Sequence, residues 1–231
     1  MKALFIVINQ NKLFYGLQLL LIFFVVFLLL FFSRTEGFIW LNQCHTIFLR
    51  SFFENITLFG DGWFILLTVV LLLFMKQYRF LAFVLLLSYI SSGLFSQLLK
   101  NIVSAPRPSV YFGIHKVSYV VDTFSSSRIG FSSFPSGHTA SFFAFATVLS
   151  LYCRKKAVCI CLLLASMLVG YSRIYLAHHF LIDVFVGAVI GVLFGSLSVI
   201  WVKIILSSPL IRKWKKVTQT SDSEFPNPYF N

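Results

Sequence analysis

Residues 157–204 read AVCICLLLASMLVGYSRIYLAHHFLIDVFVGAVIGVLFGSLSVIWVKI. Two apolar runs, near 157–175 and 180–204, are each about the length of a membrane-crossing helix. Between them SRIYLAHHFLID (172–183) carries an arginine, two histidines and an aspartate. An aspartate beside an apolar span is expensive and is usually partnered, so the junction reads as a site at a membrane edge.

The rest of the chain agrees. Its 231 residues are 58% hydrophobic and 11% charged, with 29 phenylalanines and a mean hydropathy of +0.89. Soluble domains carry about a quarter charged residues, so this is an integral membrane protein. Further spans are expected near 13–33, 58–75, 79–99 and 137–153, which predicts an all-α bundle of six transmembrane helices over 1–206. A polar tail with a basic start follows at 207–231. The first run is too long for a signal peptide, and SRTEG after it lacks a small-x-small cleavage site. Polar residues in the third and fifth spans (Ser88, Ser91, Ser92, Gln97; Ser166, Gly170, Ser172) imply that these line an interior.

The net charge of +12 could suggest nucleic acid, but the basic residues are placed as membrane orienters. With a cytoplasmic N-terminus, twelve lysines and arginines lie inside and seven outside. That bias favours cytoplasmic termini and puts 172–183 at the outer surface.

Three motifs gather on that outer side. KNIVSAPRP (100–108) follows the third span, FPSGHTAS (134–141) opens the fourth, and SRIYLAHHFLID links the last two. Together they read Lys-x6-Arg-Pro, Pro-Ser-Gly-His and Ser-Arg-x5-His-x3-Asp. In this order and placement the chain resembles the type 2 phosphatidic acid phosphatase (PAP2) superfamily. The match holds at Lys100, Arg107, Pro108, Pro135, Ser136, Gly137, His138, Ser172, Arg173, His179 and Asp183, within a motif core of about 58–204.

The residues make chemical sense by themselves. Lys100, Arg107 and Arg173 supply cations, and the planar arginine fork matches phosphate oxygens in pairs. Ser136 and Gly137 sit where a helix should begin, so a hydroxyl, an amide and the positive end of the helix dipole can face an anion. Asp183, four residues from His179 and read here on one helix face, can orient that ring and leave its far nitrogen to attack phosphorus. His138 would protonate the leaving oxygen and then activate water. His178 is a weaker candidate, since a helix would turn it about 140° away from Asp183. The segment from Arg173 to His179 fits a tight turn better than a continuous helix.

Other features read as ordinary. Arg34, Arg50, Lys76, Arg79, Arg154 and Lys203 serve as span-end anchors, and His45 and His115 as interfacial residues. Asp61 in LFGDGW is read as a helix N-cap rather than as part of the site. The four cysteines show neither a disulfide framework nor zinc spacing and are expected to pack as small apolar residues. No cofactor is expected; no acidic cluster outside suits a metal, and the resemblance implies metal-independent catalysis.

The expected partners are a membrane lipid phosphate and the phospholipid bilayer. The resemblance implies a lipid phosphate phosphatase acting through a phosphohistidine, with phosphatidic acid, phosphatidylglycerol phosphate, isoprenyl diphosphates such as undecaprenyl diphosphate, or lipid A phosphates as substrates. A phosphotransferase using an alcohol in place of water is the alternative. A transporter fits less well, because the ionisable groups gather at one face. The superfamily also includes vanadium haloperoxidases, but those are soluble. The compact layout suggests a bacterial inner membrane with the site facing the periplasm or exterior. The outer loop 109–134, with Lys116 and Arg128, is expected to shape head-group choice.

Overall fold

The computed structural model describes residues 7–119, 121 and 129–207. Arg128 and nearly all of the 207–231 tail therefore lie outside the described residues. The described residues are helical, with no strand among them. After a helical turn at 7–10, the helices are α1 (Lys12–Phe31), α2 (Arg34–Leu41), α3 (Ile47–Leu58), α4 (Gly62–Phe74), α5 (Arg79–Val103), α6 (Pro108–Ile114), α7 (Gly137–Cys153), α8 (Lys156–Tyr175) and α9 (Leu181–Ser207).

Each expected span has a helix, but the membrane count differs. Among the described residues, four helices are individually long and apolar enough to cross a bilayer, or five if the bent pair α3–α4 counts as one. Two expected spans fall short for physical reasons. The 58–75 run breaks at Gly60–Asp61, so α4 continues α3 only through a 49° bend. The 137–153 run forms a 17-residue helix about 26 Å long, enclosed by its neighbours rather than by lipid. The stretch between the first two expected spans, 34–57, contains α2, started by a Ser33–Glu36 capping box, and most of α3, capped by Thr46.

The centre of the bundle is α7, which packs on α9, α5 and α8. Its small residues face three glycines of α9 spaced four apart. A Cβ on Gly187 would lie 2.5 Å from the Ser136 carbonyl oxygen, one on Gly191 2.5 Å from that of Ala140, and one on Gly195 2.9 Å from that of Ala144. Nothing but hydrogen fits there, and the two backbones pack directly together, as small-xxx-small seams do in membranes. Ile65, Val69, Leu85, Phe142, Phe145 and Val148 fill the adjoining core. By contrast α1 turns most of its leucines and phenylalanines outward, the arrangement expected where the solvent is lipid. Of the cysteines only Cys159 is buried, against the Asn11 amide; Cys44, Cys153 and Cys161 are exposed, contrary to the packing expected for them.

The seam positions the functional end. Gly187 holds the start of α9 against the start of α7, and the Ser136 amide donates to the Asp183 carbonyl at 2.9 Å. Motifs two and three, far apart in sequence, thus meet at one end of the bundle.

Candidate active site

The turn between α8 and α9 carries the third motif. Arg173's carbonyl accepts from the amides of both His178 (2.9 Å) and His179 (3.1 Å), and Ala177 adopts φ 54°. The chain reverses there, as the spacing predicted. His179 consequently precedes α9 and does not share a helix face with Asp183. Their proximity comes from the turn. Asp183 is the third residue of α9 and its Oδ2 reaches back to the Phe180 amide at 2.9 Å, one half of a capping box. His179 Nδ1 lies 3.7 Å from the same oxygen, close but beyond hydrogen-bond length.

Both groups are sealed from water: His179 is 2% exposed and Asp183 0%. Burial pushes the His179 ring down to about 4, and the Arg173 and Arg107 guanidiniums add to this, against the opposing pull of Asp183. Burial thus favours the neutral ring, which keeps a lone pair on one nitrogen.

The cations divide. Arg173 is buried and its guanidinium contacts Thr57 Oγ1 on α3 and His178 Nδ1. His178 thus faces Arg173, not Asp183. Arg107 is also buried and donates to the His178 carbonyl (3.2 Å) and to the carbonyl and hydroxyl of Ser132 (3.2 and 3.3 Å). It braces the turn that carries His179. Ser136 is fully buried, accepting from Thr139 Oγ1 at 2.8 Å.

Lys100, Gly137 and His138 lie together around a separate cavity of about 210 Å³. Lys100 Nζ is 3.7 Å from where a Gly137 Cβ would stand. The α3–α4 elbow closes over them, since a Cβ on Gly60 would touch the His138 backbone at 3.0 Å. The structure therefore groups the site residues in two clusters, His179–Asp183–Arg107–Arg173 and Lys100–Gly137–His138, joined through Ser136.

Several participants were not singled out in the sequence. Ser133 Oγ donates to Asp183 Oδ2 at 2.5 Å, while Ser132 and Thr57 hold the arginines. The serines in FSSF could have been flagged only by standing beside the second motif, and Thr57, near the end of α3, carries no spacing signal. Asp61 does sit at the N-cap of α4, as expected, but makes no side-chain capping bond and instead lines the cavity of Lys100 and His138. Among the described residues no three His, Cys, Asp or Glu side chains converge as a metal site.

The fold is similar to that of solved proteins. The crystal structure of Aquifex aeolicus LpxE superposes with a TM-score of 0.63 at 32% identity, covering 71% of this chain and 93% of that one. The phosphatidylglycerolphosphate phosphatase of Bacillus subtilis shares the fold with a TM-score of 0.60 at 24% identity, covering 75% and 86%. In sequence the chain is 29% identical over 166 residues to the lipid A 1-phosphatase of Rhizobium johnstonii, covering 64% of this chain and 65% of that protein. It is 36% identical over 135 residues to lipid phosphate phosphatase 1 of Arabidopsis thaliana, covering 48% and 41%. The chain thus spans roughly two fifths to two thirds of the curated relatives it matches. Residues 81–205, more than half of the chain, match the PAP2 superfamily, and the protein belongs to that family.

Proposed function

We propose that this protein is a metal-independent lipid phosphate phosphatase that works through a phosphohistidine at the outer face of an all-helical membrane bundle. The observation that carries the reading is the buried His179 held beside Asp183, in the turn that Arg107 braces and Arg173 begins. The attacking atom is Nε2, because Nδ1 faces the carboxylate. As the N–P bond forms, the bond from phosphorus to the lipid oxygen breaks, and protonated His138 gives that oxygen its proton. Neutral His138 then takes a proton from water, the water oxygen bonds to phosphorus, and the N–P bond breaks. Phosphate leaves and both histidines return to their starting states. Lys100, Arg107, Arg173, Ser136 and the Gly137 amide hold the phosphate oxygens, most strongly in the crowded transition state.

Relatives named for lipid A and for phosphatidylglycerol phosphate support a lipid substrate, as does a site at the end of a bundle clothed in apolar side chains. Phosphate release in mixed micelles is the test. Chelators should leave the rate unchanged, and vanadate should inhibit by adopting a geometry near that of the transition state. Activity lost to chelator and restored by magnesium would contradict the mechanism.

The same reading puts the termini in the cytoplasm of a bacterial inner membrane, supported by the excess of lysine and arginine on that side. Single cysteines at 109 and 207 in a Cys-free background should label from opposite sides of the membrane, with 109 reacting with an impermeant reagent from outside. Labelling of both from one side would overturn the topology.

A further inference from the structure

Resting on that reading, we infer that the substrate's phosphate is carried by a hydroxyl-rich unit, a glycerol or a sugar, and not directly by a prenyl chain. The argument starts from in-line displacement, which puts nucleophile and leaving group on opposite sides of phosphorus. His179 does not line the 210 Å³ cavity; His138, the proton donor to the leaving oxygen, does. That cavity therefore receives the leaving group.

Its wall is unusual for so apolar a chain. Asp61, Tyr89, Ser96, Gln97 and Ser141 face it beside the cradle residues, with glycines between them. Among the described residues no aliphatic or phenylalanine side chain lines it. On α5, Tyr89, Gly93, Ser96, Gln97 and Lys100 fall within about 100° of arc, so one polar stripe of the helix points inward. Ser96 is 2% exposed, yet its hydroxyl has no hydrogen-bond partner. Asp61 occupies an N-cap without using its carboxylate to cap. A buried unmet hydroxyl costs stability, and hydroxyls of a bound ligand would satisfy both groups. A prenyl carbon would leave them unpaired.

Asp61 also disfavours a diphosphate. There the leaving group is itself a phosphate, and it would enter the cavity against a carboxylate of like charge. Asp61 is thus a specificity residue: it accepts hydrogen bonds from hydroxyls and repels a second phosphate.

The test compares phosphatidylglycerol phosphate, a lipid-linked sugar 1-phosphate, a prenyl monophosphate and a prenyl diphosphate in mixed micelles with purified protein. One or both hydroxyl-rich substrates should exceed both prenyl substrates in kcat/KM by on the order of 100-fold. Which of them leads separates glycerol from sugar. Asp61→Asn keeps N-cap chemistry, so it should fold and bind vanadate as before. It should lower kcat/KM for the better hydroxyl-rich substrate about tenfold and raise it for prenyl diphosphate. Gln97→Leu, at the exposed rim, should lower only the hydroxyl-rich rates. Prenyl substrates turned over equally well, or an Asp61→Asn effect that is uniform across substrates, would overturn the inference alone. No phosphate release from any of the four would overturn the phosphatase reading and the inference with it.

Discussion

His179→Ala is expected to lose essentially all turnover while still folding and binding vanadate. No other ring can form the N–P bond, since His178 faces Arg173 and His138 stands in the second cluster. Asp183→Asn is expected to slow the reaction by about 10³- to 10⁴-fold, because the group that fixes the ring's tautomer loses its charge. An asparagine oxygen can still accept from Ser133 and Phe180, so the turn should survive. The pH behaviour follows from burial. His179 takes a proton only as pH falls through about 4, so its attacking form persists well below the usual histidine range. Nitrogen-15 histidine NMR in detergent should find this ring neutral at pH 5.5. Near-normal phosphate release from His179→Ala would end the assignment.

The candidate site was legible in sequence because it is marked by ionisable residues at fixed spacings, and apolar chains tolerate few of these. Lys100, Arg107, Ser136, His138, Arg173, His179 and Asp183 all stand at helix ends on one side of the bundle. Their grouping was less legible. The pairing of His179 with Asp183 was expected from a helix period, but a turn with a left-handed Ala177 and a capping carboxylate brings them together. Spacing alone does not separate those two routes.

The helices over the six expected spans were legible as apolar runs; α2, most of α3 and α6 were not, nor was the membrane count. Hydropathy registers α7 as a span like any other, although its neighbours are protein on nearly every side. The expected 58–75 span also crosses the bend at Gly60–Asp61, where the chain folds over His138, although the N-cap reading of Asp61 already puts a helix start there. Neutral polar residues were the least visible. Ser133, Thr57 and Ser96 matter only through what they touch, and contact leaves no mark on spacing or composition.

The α7–α9 seam carries the largest expected effect on stability. Gly191→Ala would put a methyl carbon 2.5 Å from both the Ala140 carbonyl oxygen and Phe143 Cβ, and 2.8 Å from the Ala144 amide nitrogen. Two of those atoms are backbone, so no side chain can swing aside and the helices must part. A loss of about 2–3 kcal/mol is expected, with Gly191→Leu failing to fold. Gly16→Ala supplies the contrast within the same protein. Nothing lies within 4 Å of its Cβ, so relief of glycine's helical penalty should leave it neutral or up to about 1 kcal/mol more stable. Thermal unfolding in detergent should therefore order the proteins as Gly16→Ala at or above the parent and Gly191→Ala well below it. If Gly191→Ala melts no lower than Gly16→Ala, the seam is not what holds these helices together. Gly187→Ala tests the link from seam to chemistry. Its methyl would strike the Ser136 carbonyl at 2.5 Å, wedging apart the helix starts joined by the Ser136 amide and the Asp183 carbonyl. Because that wedge acts where the two clusters meet, activity should fall by a larger factor than in any stably folded change at Gly195, one helix turn beyond Gly191 and farthest of the three from His179.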